Sequence, residues 1–98
     1  MRTVLLHPAA KEELVEAISF YNSKIEGLGS LLLDEIDSGI EAIQRNPRTW
    51  KKYTQHCRRY LFKKFPYAII YRLKDNTTQI VAFMHQHRKP NYWKSRLN

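Results

Sequence analysis

The chain has 98 residues, room for one hydrophobic core and no second, so we read residues 1–98 as a single domain. A composition of 43% hydrophobic and 27% charged residues excludes a disordered chain, and the longest apolar runs (LLL at 31–33, AII at 68–70) are too short to span a bilayer. The net charge of +8 is segregated: residues 1–44 carry three Lys/Arg and eight Asp/Glu, whereas residues 45–98 carry fourteen Lys/Arg against Asp75 alone, which favours a polyanionic or strongly acidic partner.

The opening MRTVLLHPAAKEEL turns polar and acidic too early for a signal peptide, and residues 2–7 (RTVLLH) read as a short strand. Pro8 suits the first turn of a helix, where its missing N–H costs nothing. Leu14, Ile18, Tyr21 and Ile25 then recur at helical spacing, with Glu12, Glu13 and Glu16 near the positive end of the helix. GLG at 27–29 should end it. A second helix carries Leu32, Ile36, Ile40 and Ile43 as its stripe, turns Asp34, Glu35, Asp37 and Glu41 outward, and stops at RNP (45–47). The bland reading of both stripes, core packing, is the one adopted.

The lone Cys57 cannot form an internal disulfide, which suits a reducing cytoplasm, and we read it as a small filler side chain. From residue 58 the period changes to that of strands. RRYLFKKF (58–65), YAIIYRL (67–73) and QIVAFMH (79–85) are aromatic and β-branched, Pro66 marks a corner, and KDNTT (74–78) is a hairpin signal. The expectation is an α+β fold: an N-terminal strand, a helical hairpin, then a three-stranded antiparallel meander, forming one small sheet with helices on one face. Strict alternation along the last strand groups Val81, Phe83, His85 and His87 against Ile80, Ala82 and Met84. The second, aliphatic set suits the helices, which leaves both histidines on the open face.

The tail MHQHRKPNYWKSRLN (84–98) concentrates the polar chemistry. A metal site is disfavoured, because His85 and His87 lack a third ligand nearby. RNA cleavage through attack by the 2′-hydroxyl needs a proton-transfer group and cations around the phosphorus. His85 or His87 could move the proton, Arg58, Arg59, Lys63, Lys64 and Arg88 could supply charge, and Tyr92 could stack or donate. Recognition without chemistry fits equally well: Tyr53, Tyr60, Phe62, Tyr67, Tyr92 and Trp93 interleave with the cations, and Trp50 reads as an exposed loop anchor. The structural reading is a final helical turn in which Tyr92 and Trp93 plug the sheet while Arg88 and Arg96 solvate it. For Trp93 we adopt that plug, because an exposed indole is costly.

Nearly the whole chain resembles the RelE/ParE superfamily of bacterial toxins from type II toxin–antitoxin pairs. The likeness is carried by HPAAKEELVEAISFYNSKIEGLGSLLLDEI, NP, FPYAIIYRL and HQHRKPNYWKSR in that order. It is strongest to the ParE-like, plasmid-stabilisation branch, through FPY-x-I-x-Y and H-x-R-R-x-P-x-Y-W. His85, Arg88, Pro90, Tyr92 and Trp93 match the second pattern, and His87 replaces its first arginine. The resemblance implies a cytoplasmic toxin neutralised by a cognate antitoxin, with either DNA gyrase or ribosome-bound mRNA as target and no cofactor. Family likeness leans to gyrase inhibition, whereas the residues' chemistry leans to an endoribonuclease, and a non-catalytic RNA-binding module is the non-toxin alternative. His85, His87, Arg88 and Tyr92 are the catalytic candidates if the chain is a nuclease. Arg58, Arg59, Lys63, Lys64, Lys89 and Arg96 are the candidates for nucleic-acid or target binding.

Overall fold

The computed structural model describes residues 2–97. Strand β1 (Thr3–Leu6) is followed by helices α1 (Pro8–Lys24) and α2 (Leu28–Arg45). Strands β2 (Arg58–Leu61), β3 (Tyr67–Lys74) and β4 (Thr77–His85) form the meander, and a short 3-10 turn (Lys94–Leu97) ends the chain. The sheet runs β1-β4-β3-β2, with β1 parallel to β4 and the remaining pairs antiparallel. Among the described residues no helix is long and apolar enough to cross a membrane.

Local chemistry sets the helix ends. Pro8 occupies the first turn of α1 as expected, and His7 caps it, its Nδ1 accepting the Ala9 N–H at 3.0 Å. The three glutamates begin one turn further in, so they do not serve the helix terminus. Helix α1 ends at Lys24, before the GLG stretch, which divides between two tasks. Gly27 caps α2 with φ of 88°, a left-handed conformation that L side chains resist. Gly29 lies inside α2, where a Cβ would come within 2.5 Å of the Ile18 carbonyl oxygen; glycine permits the two helices to meet that closely.

Leu32, Ile36 and Ile43 bury the stripe of α2 with Ala10 and Ala17 of α1, against Phe62, Phe65, Ile69, Tyr71, Ile80 and Phe83. Ile40 is only half-buried. Glu35, expected on the outside, turns inward: its Oε1 accepts the Lys63 N–H at 2.7 Å and the Lys64 N–H at 3.2 Å. That contact pins the β2–β3 connection to α2 and ends β2 at Leu61, four residues before the expected limit.

The face assignment of β4 needs correction. Tyr71 pairs with Ile80 but Ile70 with Ala82, so a bulge sits in the ladder and Val81 is the extra residue. The alternation resets there. Ile80 and Phe83 face the helices, while Val81, Ala82 and Met84 face the other way. His85 pairs with Tyr67, whose ring packs with the helix-side core. His85 therefore lies on the helix side of the sheet, not on the open face.

That other face is not open either. Val81, Ala82 and Met84 join Cys57, Ala68 and Ile70 in a second apolar cluster closed by Trp93, which has no exposed surface. Tyr53 stacks on the indole at 6.0 Å between centroids. The plug expected for Trp93 is what the chain builds, with Cys57 as filler beneath it; burial pushes the Cys57 thiol up.

Candidate functional site

Two elements far apart in sequence meet around one carboxylate. Glu13, on the second turn of α1, accepts two hydrogen bonds from Arg96: Nη1 to Oε1 at 2.8 Å and Nη2 to Oε2 at 3.2 Å. The same Oε1 accepts the Phe83 N–H of β4 at 3.1 Å, and Arg88 stands 3.8 Å from Oε2. Arg96 also donates to the Val81 carbonyl at 3.0 Å, across the bulge. Both partners of the inner pair are largely withdrawn from solvent, at 16% and 17% side-chain exposure. Such a pair holds position strongly, because removing either member leaves the other buried and unmatched.

Arg88 is the exposed member of this group, with 55% of its side chain accessible. Its guanidinium lies 3.6 Å from the centroid of the Tyr92 ring, within cation–π range. Arg96 approaches the same ring at 5.1 Å. Burial, reinforced by Glu13, pushes the Tyr92 phenol well above its ordinary value, so it stays protonated and works here as a platform.

The histidines sit at the end of β4. His85 Nδ1 accepts the His87 N–H at 3.1 Å, and the two rings lie 5.4 Å apart. The Tyr67 ring meets the His85 ring edge-on at 5.2 Å and stacks on Phe83 at 4.6 Å. His85 and Arg88 line one groove with Glu13, Glu16, Phe20 and Tyr67. Among the described residues no group of three or more His, Cys, Asp or Glu side chains lies placed to hold a metal ion.

The remaining cations do not converge there. Arg58 turns back into its own loop and donates to the Trp50 carbonyl at 2.7 Å and the Arg48 carbonyl at 3.3 Å. Arg59 lies over Tyr53 at 4.0 Å. Lys63 and Lys64 border a separate groove beside α2, with Tyr21, Leu31 and Phe65. Lys89 is exposed in the turn after β4. Trp50, expected as an exposed anchor, is half-buried against Tyr60 at 5.0 Å. Tyr71 bonds the Pro47 carbonyl at 2.7 Å, and burial pushes its phenol up to about 12. Arg96 and Arg58, both expected to face a target, are thus committed to internal partners, whereas Arg88, Lys89, Lys63 and Lys64 remain presented outward.

Sequence reasoning missed Glu13 altogether. A signal existed: in a tail so rich in cations, any carboxylate that approaches it is a probable anchor, and α1 is where the chain keeps its acids. Periodicity gave no means to choose among Glu12, Glu13 and Glu16, because the choice depends on where the tail returns.

A family model described as the ParE toxin of type II toxin–antitoxin system, parDE, matches residues 4–90. Toxin ParE2 of Mycobacterium tuberculosis, in strains CDC 1551 / Oshkosh and ATCC 25618 / H37Rv, is 27% identical over 94 residues, covering 92% of this chain and 87% of that protein. Among solved structures, a chain of the chromosomal ParDE TA system from P. aeruginosa superposes with a TM-score of 0.76. That match covers 87% of this chain and 96% of the other at 15% identity, a likeness of fold alone. With most of its length inside the family model, the chain belongs to the ParE family of type II toxin–antitoxin toxins.

Proposed function

We propose that this toxin acts on DNA gyrase in the cytoplasm, through the exposed part of the terminal cluster, and that a cognate antitoxin neutralises it. The observation that carries the reading is the family match over residues 4–90. The state of the cluster supports recognition over chemistry. One ring nitrogen of His85 is occupied by the His87 N–H, Tyr92 is held protonated beneath Arg88, and Arg96 is spent on Glu13. In this reading His87, Arg88 and Lys89 contact the target, while Tyr92, Arg96 and Glu13 hold the contact surface in shape. Lys63 and Lys64 belong to a different groove and are assigned to partner binding.

Two assays on purified protein test the proposal together: supercoiling by gyrase, and message integrity in a translating extract. Blocked supercoiling with intact message is the expected result. Arg88→Ala should then weaken inhibition by about tenfold or more, the scale of one lost charged contact. Cut message with normal supercoiling would replace this reading with that of a nuclease, in which His87→Ala should lower cleavage by about a hundredfold.

A further inference from the structure

Five side chains from distant parts of the sequence form one continuous stack on the tail-covered face of the sheet. Arg59 pairs with Ile70, a member of the second apolar cluster, so its side chain lies on that face. Its guanidinium stands 4.0 Å from the centroid of the Tyr53 ring. Tyr53 lies nearly parallel to the Trp93 indole, at 6.0 Å and 29°. Trp93 meets Tyr92 edge-on at 5.3 Å, and Tyr92 carries Arg88 at 3.6 Å. Every joint falls in the range where aromatic or cation–π attraction acts. The stack has a fixed foot. The Tyr53 and Thr54 N–H groups both donate to the Cys57 carbonyl, at 2.8 and 3.2 Å, and the Arg59 N–H donates to Lys51 at 3.2 Å. Its head is free: Arg88 is exposed, and Glu13 stands 3.8 Å from it, beyond hydrogen-bond reach.

We propose that Tyr53 and Arg59 are positioning residues for the target contact. They set the plane of Trp93, which sets Tyr92 and, through it, the outward guanidinium of Arg88. Their role rests on the reading above, in which Arg88 contacts the target. An exposed arginine gives up rotamer freedom when it binds, so a side chain already placed binds more tightly. The Tyr92 ring places Arg88 only while the ring itself is kept from tilting. Its neighbour Trp93 is fully buried, and Tyr53 covers that indole from outside with Arg59 laid over it in turn. Arg59 thus serves the target surface from the far end of the stack, without touching the target. The rival source of order is the apolar cluster beneath the indole. If Ala68, Ile70, Ala82 and Met84 alone fix Trp93, Tyr53 is a cover and nothing more.

The test uses the full chain, isotopically labelled in arginine. The Tyr92 ring current shifts the Arg88 side-chain protons upfield, and that shift reports how constantly the guanidinium rides on the ring. Tyr53→Leu removes the ring but keeps an apolar cover, and Arg59→Gln removes the cation at the foot. Each should move the Arg88 resonance toward that of a free arginine. Each should also weaken gyrase inhibition by about two- to fivefold, the scale of one aromatic or cation–π contact. Tyr53→Phe, which keeps the ring, should restore both. In an Arg88→Ala background Tyr53→Leu should add no further loss, because an effect that passes through Arg88 disappears with it. An Arg88 resonance unmoved by either substitution, in protein shown to be folded by its denaturant midpoint, would overturn the proposal. An undiminished effect of Tyr53→Leu in the Arg88→Ala background, or no restoration by phenylalanine, would overturn it as well. A wild-type chain that leaves supercoiling untouched would sink the gyrase reading, whereas the Arg88 resonance would still decide whether Tyr53 and Arg59 place that side chain.

Discussion

Glu13 shows how much one side chain can organise. It receives a guanidinium, a strand N–H and the field of a second guanidinium, and so joins α1, β4 and the C-terminal tail. Glu13→Gln keeps an acceptor for Phe83 and removes the charge that holds Arg96. The expected cost is about 1–3 kcal/mol of stability, the range for hydrogen bonds to charged groups. A shift in the denaturant midpoint checks it. Arg88 should also lose its preferred placement over Tyr92, so target inhibition should fall by more than the lost fraction of folded protein explains. A drop in activity that tracks the folded fraction alone would confine Glu13 to stability.

Among the elements, the C-terminal tail does the work of a missing layer. The helices cover one face of the sheet, and the tail covers the other with Trp93, laid over Ala68, Ile70, Ala82 and Met84. Trp93→Ala removes the largest side chain of that cluster and should cost about 3–5 kcal/mol, the usual range for a buried tryptophan. Binding of a hydrophobic dye and a lowered unfolding midpoint would report it; an unchanged midpoint would mean that Tyr53 and Tyr92 can seal the cluster alone. The elements themselves were legible. Helical spacing marked α1 and α2, and the aromatic, β-branched runs marked the meander, because those patterns are local. The bulge at Val81 was not legible, since nothing in QIVAFMH announces an extra residue, and a single slip of parity moved His85 and Phe83 across the sheet. The inward turn of Glu35 and the recruitment of Arg58 and Arg96 escaped for a related reason. A charged side chain reads as solvated until its long-range partner is known.

At the scale of the molecule, the charge asymmetry of the sequence becomes a spatial one. The surplus of residues 45–98 resides in the sheet, its loops and the tail, whereas the acids of residues 1–44 lie on α1 and α2. A partner with acidic segments should therefore be steered to the sheet side. Association with the antitoxin should slow markedly as ionic strength rises from low to physiological, with a smaller change in dissociation. Stopped-flow rates across a salt series measure this, and a flat on-rate would show that steering plays no part. The family, the fold and the presence of a dense terminal surface could all be read from the sequence. Which cations face outward could not, because that depends on which of them the fold takes for itself.

The parallel pairing of β1 with β4 bears on how the toxin comes into being during synthesis. Thr3–Leu6 emerges first and finds its neighbour only in Thr77–Ile80, and Glu13 waits for Arg96, which is 83 residues later in the chain. Contacts so distant in sequence form late and exact a large loop-closure entropy. A chain that stops short of β4 and Trp93 lacks the partner of β1 and the lid of the second cluster. The outer β1 edge and the second cluster are therefore completed last, once the C-terminal part of the chain has been made.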